Sequence, residues 1–379
     1  MNLNIPVLEI ETCKILDEKY LPLELQIGTL KTRDILKFLQ HRVASDTREN
    51  INEIYGCYSL QVGDYEKILY KSHSVSINDS YWIKEENEQL RFVDVNPANH
   101  RGYAWRVGEV TVSASAFKGD KIRLSDFKDL NRLTSPEVTL QGNNRKGIFD
   151  FGTARYILKW IGIERANNEI ITYRLAKMIG LNTVEYMDEK PNDLYRPNVE
   201  YTITRVLSNK HNHWISAFNI SEHMKYKYGM TPQEFALKHF KDQYLRMIIL
   251  DGLVLNSDRH MRNWSFLVDW ESNSIMGLTP CYDYDKAFTG DYKTMSNLIF
   301  DDNGKRVNIL KAARIAYNLS DKPIYLEGVL KAIGKTNEYY DRRYETGPFS
   351  NIGNPINKEV LKNRILYITG QKDNQRDCY

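Results

Sequence analysis

The clearest periodic pattern in the chain begins at residues 231–234, with the sequence TPQE. Thr231 is a good helix N-cap, Pro232 suits the first helical position, and Glu234 stands where it completes a capping box. The pattern therefore predicts one long core helix, continuing to Leu255, in a mainly helical lobe. The apolar residues that recur at helical spacing along it are Phe235, Phe240, Tyr244, Met247, Ile248 and Leu255.

Residues 155–206 carry a second recognisable pattern. Residues 155–160 (RYILKW) form an apolar strand with one lysine, Lys159, and residues 167–179 have the spacing of a helix that Gly180 would end. Two strand-like segments follow, at 183–187 and 201–206. A strand, a helix and two further strands are what a small nucleotide-binding lobe needs.

The rest of the chain predicts a mixed α+β protein. A helix is expected over residues 32–43, with Thr32 as its N-cap. Other expected elements are strands at 4–11, 264–269 and 274–279, and helices at 306–317, 325–333 and 358–368. We expect three units: an α+β region of unclear role at 1–130, packed on or part of the small lobe; that nucleotide-binding lobe at 131–207; and a helical catalytic lobe at 208–379.

Composition and charge narrow the classes of function. The chain has 379 residues and a net charge of +3. A charge so near neutral excludes a predominantly basic surface of the kind that binds nucleic acids, so we expect no direct nucleic-acid binding. Its four cysteines are scattered without metal-like spacing, which is typical of a reducing compartment. Neither a signal-peptide pattern nor an apolar run of about 18 residues is present. We therefore expect a cytoplasmic protein that does not enter a membrane.

The strongest chemical signal lies directly after the long predicted helix. Phosphoryl transfer needs a carboxylate that accepts the proton of the attacking hydroxyl, and further oxygen ligands that hold Mg²⁺ against the phosphates. Asp258 and Asn263 share one tight loop, and Asp283 follows beyond the predicted hairpin. An Asp and an Asn on one loop, followed by a second Asp, could supply the base and the metal ligands of phosphoryl transfer. Alternatively, Asp258 simply caps the junction between helix and loop.

A lysine and a glutamate upstream extend the signal. Lys159 lies in an apolar strand, where burial of an unpaired ammonium is costly, and Glu169 lies near the start of the next predicted helix. A lysine paired with a helix glutamate is how kinases hold the lysine against the α- and β-phosphates. The alternative is an edge strand on which Lys159 points to solvent.

These motifs resemble the HipA-type serine/threonine kinases. Residues 168–181 (NEIITYRLAKMIGL) look like that family's Asn-Glu…Leu-Ala-Lys…Gly-Leu helix. Residues 256–266 (NSDRHMRNWSF) are similar to its Asn-Thr-Asp-x-His-x-x-Asn-Phe catalytic loop, and 280–283 (PCYD) to its Pro-x-Tyr-Asp metal segment. The resemblance covers roughly residues 130–370. Residues 72–96 also resemble the CtkA-like branch of the family.

The resemblance implies a bilobal protein-kinase-like fold, with a small β-rich lobe and a larger helical lobe. It also implies ATP and Mg²⁺ as cofactors and transfer of the γ-phosphoryl group to Ser or Thr of a protein. Asp258 would be the catalytic base, and Asn263 and Asp283 the metal ligands. Lys159 would hold the phosphates, and Glu169 would orient it.

The phosphate loop departs from common patterns. Its candidate residues are Ser135, Thr139, Gly142 and Gly147, without a GxGxxG motif. By analogy with relatives that phosphorylate this loop in themselves, Ser135 and Thr139 are also candidate acceptors.

Several other polar residues have more than one interpretation. Asp285 competes with Asp283 for the metal, and an extended strand would place both on one face. His260 is expected to shape the loop around Asp258. The basic residues Arg145, Lys146 and Arg155 either meet phosphates or are ordinary surface charge. Residues 211–213 (HNH) are a poor match to a metal nuclease.

Three functions remain open from the sequence. The first is a HipA-like protein kinase, either the toxin of a pair with a small DNA-binding antitoxin or a stand-alone regulator. The second is a small-molecule phosphotransferase, because antibiotic-type kinases also use an Asp-x₄-Asn loop. The third is a non-catalytic kinase-fold module that acts with a DNA-binding partner.

Overall fold

The computed structural model describes residues 1–49, 51–52, 55, 60–96, 104–107, 110–113, 142–151, 154–186, 201–206, 212–291, 293–300, 304–321 and 358–379. The candidate loop residues Ser135 and Thr139 and the helix expected at 325–333 lie outside the described residues. Small antiparallel sheets and helices make up the fold, so the expectation of a mixed α+β protein is confirmed.

The helices and strands have the following bounds. The helices are α1 Thr32–Gln40, α2 Tyr65–Lys71, α3 Phe92–Val95, α4 Ile163–Met178, α5 Ser221–Tyr228, α6 Pro232–His239, α7 Lys241–Leu253, α8 Ile309–Leu319 and α9 Lys358–Ile368. The strands are β1 Leu8–Glu9, β2 Lys14–Ile15, β3 Ala104–Val107, β4 Val110–Ser113, β5 Lys146–Phe151, β6 Ala154–Trp160, β7 Tyr201–Arg205, β8 Asn212–Ser216, β9 Ser265–Asp269, β10 Ser274–Leu278, β11 Met295–Phe300 and β12 Arg306–Asn308.

Strands β3 to β7 form a five-stranded antiparallel sheet in chain order. Strand β6 lies inside this sheet, with Lys159 opposite Lys146 of β5 and Thr202 of β7. Since β6 is hydrogen-bonded on both sides, the alternative of a solvent-facing edge strand for Lys159 is wrong. Leu158, the preceding residue, is buried.

Helix α4 connects the sheet to the rest of the protein. It begins four residues before the predicted start, directly after Gly162, and it ends where expected, with Gly180 in the left-handed region at φ +68°. Leu175 and Ala176 on this helix are buried in the same apolar core as the helices that follow. Of the segment expected as a strand at 183–187, the structure describes residues 183–186, and these make isolated bridges, Thr183 with Cys281 and Tyr186 with Thr204.

The long helix predicted from residue 232 is two helices, α6 and α7. Its capping box is present, since the Thr231 side chain accepts from the Glu234 amide and the Glu234 carboxylate accepts from the Thr231 amide. The chain bends at Phe240, whose backbone (φ −131°, ψ 38°) is not helical. Apolar periodicity continues through such a bend, so the pattern could not show it.

Helix α7 forms the centre of the helical unit, packed against α8 and α9. Leu245, Ile249 and Leu253 are fully buried. Gly252 permits a close approach, because a Cβ atom there would lie 2.3 Å from Cβ of Ala313 on α8. The helix expected at 306–317 begins later, at Ile309, because residues 306–308 form strand β12.

The predicted hairpin is confirmed as β9 and β10, and β8 pairs beside β9. Asn212 and His213 of the HNH tripeptide lie in β8. His213 is buried and hydrogen-bonded to the Ser80 hydroxyl at 2.9 Å, so its place in the structure is that of a core histidine.

The N-terminal region contacts the start of β5 and strand β8, which pairs beside the hairpin. The Glu49 amide donates to the carbonyl of Asn143 at 2.9 Å, just before β5, and the Trp214 amide of β8 donates to the carbonyl of Asn78 at 3.0 Å.

Two expectations for the N-terminal region are wrong: residues 4–11 contain only the two-residue strand β1, and the N-cap of α1 is Lys31. The domain boundaries at 130 and 207 stay predictions. In the part of the chain described above, no helix combines the length and apolar character needed to cross a bilayer.

Candidate active site

The ammonium of Lys159 lies at the centre of a cluster of carboxylates. Its Nζ is 2.7 Å from Oε1 of Glu169, 2.6 Å from Oδ1 of Asp283 and 3.5 Å from Oδ2 of Asp285. Three separate parts of the chain supply these groups: β6, α4 and the segment after β10. The pairing of Lys159 with Glu169 suggested by the sequence is present in the structure.

Both oxygens of Glu169 have partners. Oε1 accepts from Lys159, and Oε2 accepts from the Thr202 hydroxyl at 2.8 Å. Glu169 is almost completely buried, so this double contact fixes its rotamer and thereby the position of Lys159. Thr202 was missed in the sequence; its register opposite Lys159 is visible only once β6 and β7 are paired.

The electrostatics of the cluster keep Lys159 charged. Burial opposes the charge, but Asp283, Glu169 and Asp285 outweigh it and raise the pKa of Lys159. Burial also acts against the Asp283 carboxylate, yet Lys159 and Lys146 hold its pKa below the usual range. Burial raises the pKa of Glu169, an effect that Lys159 partly offsets. The result is a charged lysine held by carboxylates in a partly desolvated site.

Asp283 and Asp285 both face Lys159 but differ in their surroundings. The side chain of Asp283 is 31% exposed, whereas that of Asp285 is 4% exposed and also pairs with the guanidinium of Arg165. Asp283 has a backbone φ of +62°, in the left-handed region, which is uncommon for a residue with a side chain and is enriched at functional sites. Asp283 is therefore the more accessible of the two carboxylates.

Three carboxylates could share a divalent cation. Glu169, Asp283 and Asp285 each offer one oxygen, and these oxygens lie within 4.8 Å of one another. Carboxylate oxygens are the ligands that Mg²⁺ prefers, so the donor set fits that ion. Asn263, the other metal ligand that the resemblance implies, lies on the loop after α7 with its side-chain amide on the Asp258 carbonyl, and its metal role stays a prediction.

The loop after α7 carries Asp258. The Asn263 side-chain amide donates to the Asp258 carbonyl at 2.9 Å, and the His260 amide donates to the same carbonyl at 3.0 Å. These contacts close the loop, while the Asp258 side chain stays 43% exposed. His260 Nε2 lies 3.8 Å from Oδ1 of Asp258, and the expected role of His260 in shaping the loop stays a prediction.

Arg259 links this loop to the Asp283 segment, and sequence reasoning missed it. Its guanidinium donates to the carbonyl of Asn263 and, at 3.2 Å, to the carbonyl of Tyr282. It also forms a buried ion pair with Asp251 of α7. Asp251, an acidic residue inside an apolar helix, was the available signal, because a buried carboxylate needs a cationic partner.

The start of β5 brings a second lysine toward the site. Lys146 Nζ lies 2.6 Å from where a Cβ atom of Gly142 would stand, and Gly142 has φ +96°. Burial and the nearby charge of Lys159 lower the pKa of Lys146 to about 8. Gly147, expected in the phosphate loop, is instead part of strand β5, and Arg155 lies at the opposite end of β6 from Lys159.

Comparison with known proteins identifies the family of this region. Residues 138–323, just under half of the chain, match the model of the HipA-like C-terminal domain. The chain therefore carries a HipA-like C-terminal domain, and the resemblance read from its motifs is confirmed. That domain includes Lys159, Glu169, Asp258, Asn263 and Asp283.

Solved structures similar to this chain include a kinase and a protein of a toxin–antitoxin system. The Helicobacter pylori proinflammatory kinase CtkA is 16% identical, with a TM-score of 0.40, over 59% of this chain and 90% of that one. The HipA of Shewanella oneidensis MR-1, solved in a toxin–antitoxin complex with HipB and operator DNA, is 13% identical, with a TM-score of 0.42, over 92% and 87%. A search of curated proteins finds no match.

Proposed function

We propose that this protein is a serine/threonine protein kinase that uses ATP and Mg²⁺. The observation that carries the proposal is the position of the Lys159 ammonium between Glu169 and Asp283. In phosphoryl transfer, such a lysine contacts phosphates and such an aspartate holds the metal. On this proposal, the five-stranded sheet with α4 is the small lobe, and the helical unit around α7 is the large lobe.

Each charged group has a distinct task in this proposal. Lys159 holds the α- and β-phosphates, with Lys146 and the backbone around Gly142 beside them. Asp283 and Asn263 would hold Mg²⁺, with Asp285 as the further carboxylate of that site. The ion, when bound, neutralises charge that develops on the phosphate oxygens. Glu169 does not touch substrate; it keeps Lys159 in place.

Asp258 is the base in the proposed reaction. The acceptor hydroxyl oxygen bonds to the γ-phosphorus, and the bond from that phosphorus to the β–γ bridging oxygen breaks, so that ADP leaves. The hydroxyl proton passes to the Asp258 carboxylate. The 43% exposure of this side chain makes it accessible to an acceptor from solution.

The acceptor is proposed to be a protein, with a small DNA-binding antitoxin as the partner that would regulate the kinase. Support comes from the HipA-like C-terminal domain, since the Shewanella HipA was solved together with HipB and operator DNA. We place the reaction in the cytoplasm, because Cys13, Cys281 and Cys378 are free thiols.

Incubation with γ-labelled ATP and Mg²⁺, with and without cell lysate, tests the proposal. Label on the protein itself or on a lysate protein supports a protein kinase, and an Asp258→Asn protein is the matched control. Label only on small metabolites would indicate the alternative phosphotransferase. No transfer under any condition, with ATP binding intact, would favour a non-catalytic module.

A further inference from the structure

A group of basic side chains surrounds an aromatic ring next to the Asp258 loop. The guanidinium of Arg262 lies 3.7 Å from the centre of the Phe218 ring, and the ammonium of Lys37 lies 5.9 Å from it. The His41 ring meets the same ring edge-on, with the centroids 6.1 Å apart. We refer to Lys37, His41, Phe218 and Arg262 as the Phe218 cation patch.

The patch is assembled from three distant parts of the chain. Lys37 belongs to α1 and His41 immediately follows that helix; Phe218 lies in the turn between β8 and α5; Arg262 lies on the same loop as Asp258. The N-terminal region, whose role the sequence left open, thus contributes directly to the surface beside the candidate base.

Hydrogen bonds fix the patch relative to the loop. The Phe218 amide donates to the carbonyl of Met261 at 3.0 Å. The Arg262 amide lies 3.2 Å from Nδ1 of His260, and the Arg262 carbonyl accepts from the Tyr282 hydroxyl at 3.2 Å. The backbone on both sides of the Phe218–Arg262 stack is therefore tied to the segment that carries Asp258.

Lys37 and Arg262 are the two exposed charges of the patch. Among the residues that the structure describes, no carboxylate forms an ion pair with Lys37 or Arg262, and both side chains are exposed. Burial, together with Arg262 and Lys37, lowers the pKa of His41, as expected where positive groups crowd together. A guanidinium stacked on a ring still presents its N–H edge, which matches a carboxylate in two parallel hydrogen bonds.

We propose that the Phe218 cation patch binds an acidic segment of the acceptor protein, next to the serine or threonine that is phosphorylated. This inference rests on the proposed function and names the class of substrate. Acidic side chains on the acceptor would pair with Arg262 and Lys37 while the hydroxyl reaches Asp258. Charge complementarity of this kind selects partners and speeds their encounter.

Peptide binding tests the patch without relying on catalysis. The probe is a fluorescent peptide with alanine at the acceptor position and aspartates around it, and the matched peptide carries asparagines instead. Fluorescence polarisation at low salt should show that the wild-type protein binds the aspartate peptide about tenfold more tightly. A Lys37→Glu, Arg262→Glu protein should lose this preference. Lys225→Glu, an exposed change on α5, should keep it.

Kinetics with serine-containing versions of the peptides supply the second measurement. The ratio of kcat/KM for the aspartate peptide to that for the asparagine peptide should exceed about ten in the wild type and approach one in the double variant. A ratio cancels any general loss of activity. A second double variant, Lys37→Gln, Arg262→Gln, removes the two charges without reversing them. It should lose the same preference while keeping the wild-type melting temperature, which excludes a folding defect as the cause.

The outcomes separate this inference from the proposed function. If the aspartate peptide binds through the patch but no label from γ-labelled ATP reaches any peptide, lysate protein or the protein itself, the kinase assignment fails and the acidic-segment site stands. If both peptides are bound and phosphorylated equally, the patch proposal is overturned and the kinase stands. Tighter binding of a single-stranded oligonucleotide than of the aspartate peptide, lost in the double variant, would also overturn it.

Discussion

The guanidinium of Arg259 forms a buried ion pair with Asp251, its Nε lying 3.1 Å from Oδ2. The two residues stand on different elements: Asp251 on the core helix α7 and Arg259 on the loop that carries Asp258. Because Arg259 also donates to the carbonyls of Asn263 and Tyr282, this pair anchors the loop and the Asp283 segment to the helical core.

Removal of one partner should destabilise the protein strongly. Asp251→Ala leaves the Arg259 charge buried and unpaired, and we expect a loss of about 3–5 kcal/mol in the free energy of unfolding. Urea denaturation measures the loss. Asp373→Ala, which breaks an exposed pair with Arg314, should cost about 1 kcal/mol or less. Equal effects of the two changes would argue against an anchoring role.

Asp258→Asn should abolish phosphoryl transfer, because the amide cannot accept the acceptor's proton. ATP affinity by isothermal titration should be nearly unchanged, since the proposed contact of this 43% exposed carboxylate is with the acceptor and not with ATP. Transfer of label from γ-labelled ATP provides the readout. Full activity in this variant would remove Asp258 from the reaction.

Lys159→Met should lower kcat/KM about 100-fold or more, because the phosphates lose their charged contact. The same change leaves Glu169, Asp283 and Asp285 without their shared cation. A lower melting temperature is therefore also expected. Lys225→Met on the surface of α5 is the matched control, and a Lys159→Met enzyme with wild-type kcat/KM would contradict the assignment.

Asp283→Ala and Asp285→Ala should affect different properties, the first Mg²⁺–ATP binding and the second stability. Asp283 is the more exposed carboxylate, so its loss should mainly weaken Mg²⁺–ATP binding. Asp285 is buried and paired with Arg165, so its loss should mainly lower stability. Isothermal titration and thermal denaturation of both variants separate the two effects; the reverse result would move the metal role to Asp285.

ATP affinity should fall as the pH rises above about 8. The free protein loses the Lys146 proton with a pKa of about 8, and anionic phosphates bind the protonated form more tightly, so binding takes up a proton. Titrations across pH 7 to pH 9 measure this trend. In Lys146→Arg the side chain stays charged throughout. An identical pH dependence in the two proteins would exclude Lys146 from the phosphate site.

Local rules in the sequence were enough to predict much of the framework. The capping box at Thr231 and the glycine after α4 act over a few residues, so the start of α6 and the end of α4 follow from the sequence alone. The hairpin of β9 and β10 was also predicted correctly, since polar turn residues separate its two strands. The motifs at residues 168–181, 256–266 and 280–283 were sufficient for the HipA-like resemblance, which the family model confirms.

Contacts between segments far apart in the sequence decided the features of the fold and the site that the sequence did not predict. Whether Lys159 faces solvent or a cluster of carboxylates depends on which strands flank β6, and pairing between distant segments is not encoded in the periodicity of any one of them. The bend at Phe240 and the buried partners Arg259 and Asp251 likewise depend on how α7 packs.

The sequence by itself determined which chemical groups the chain carries and in what order, because motifs and caps depend on neighbours along the chain. Only the tertiary structure decided which of these groups meet. Packing of segments far apart in the sequence brings Asp285 beside Lys159 and brings Lys37 and Arg262 to one aromatic ring. Burial and charge, rather than local propensity, set the geometry there.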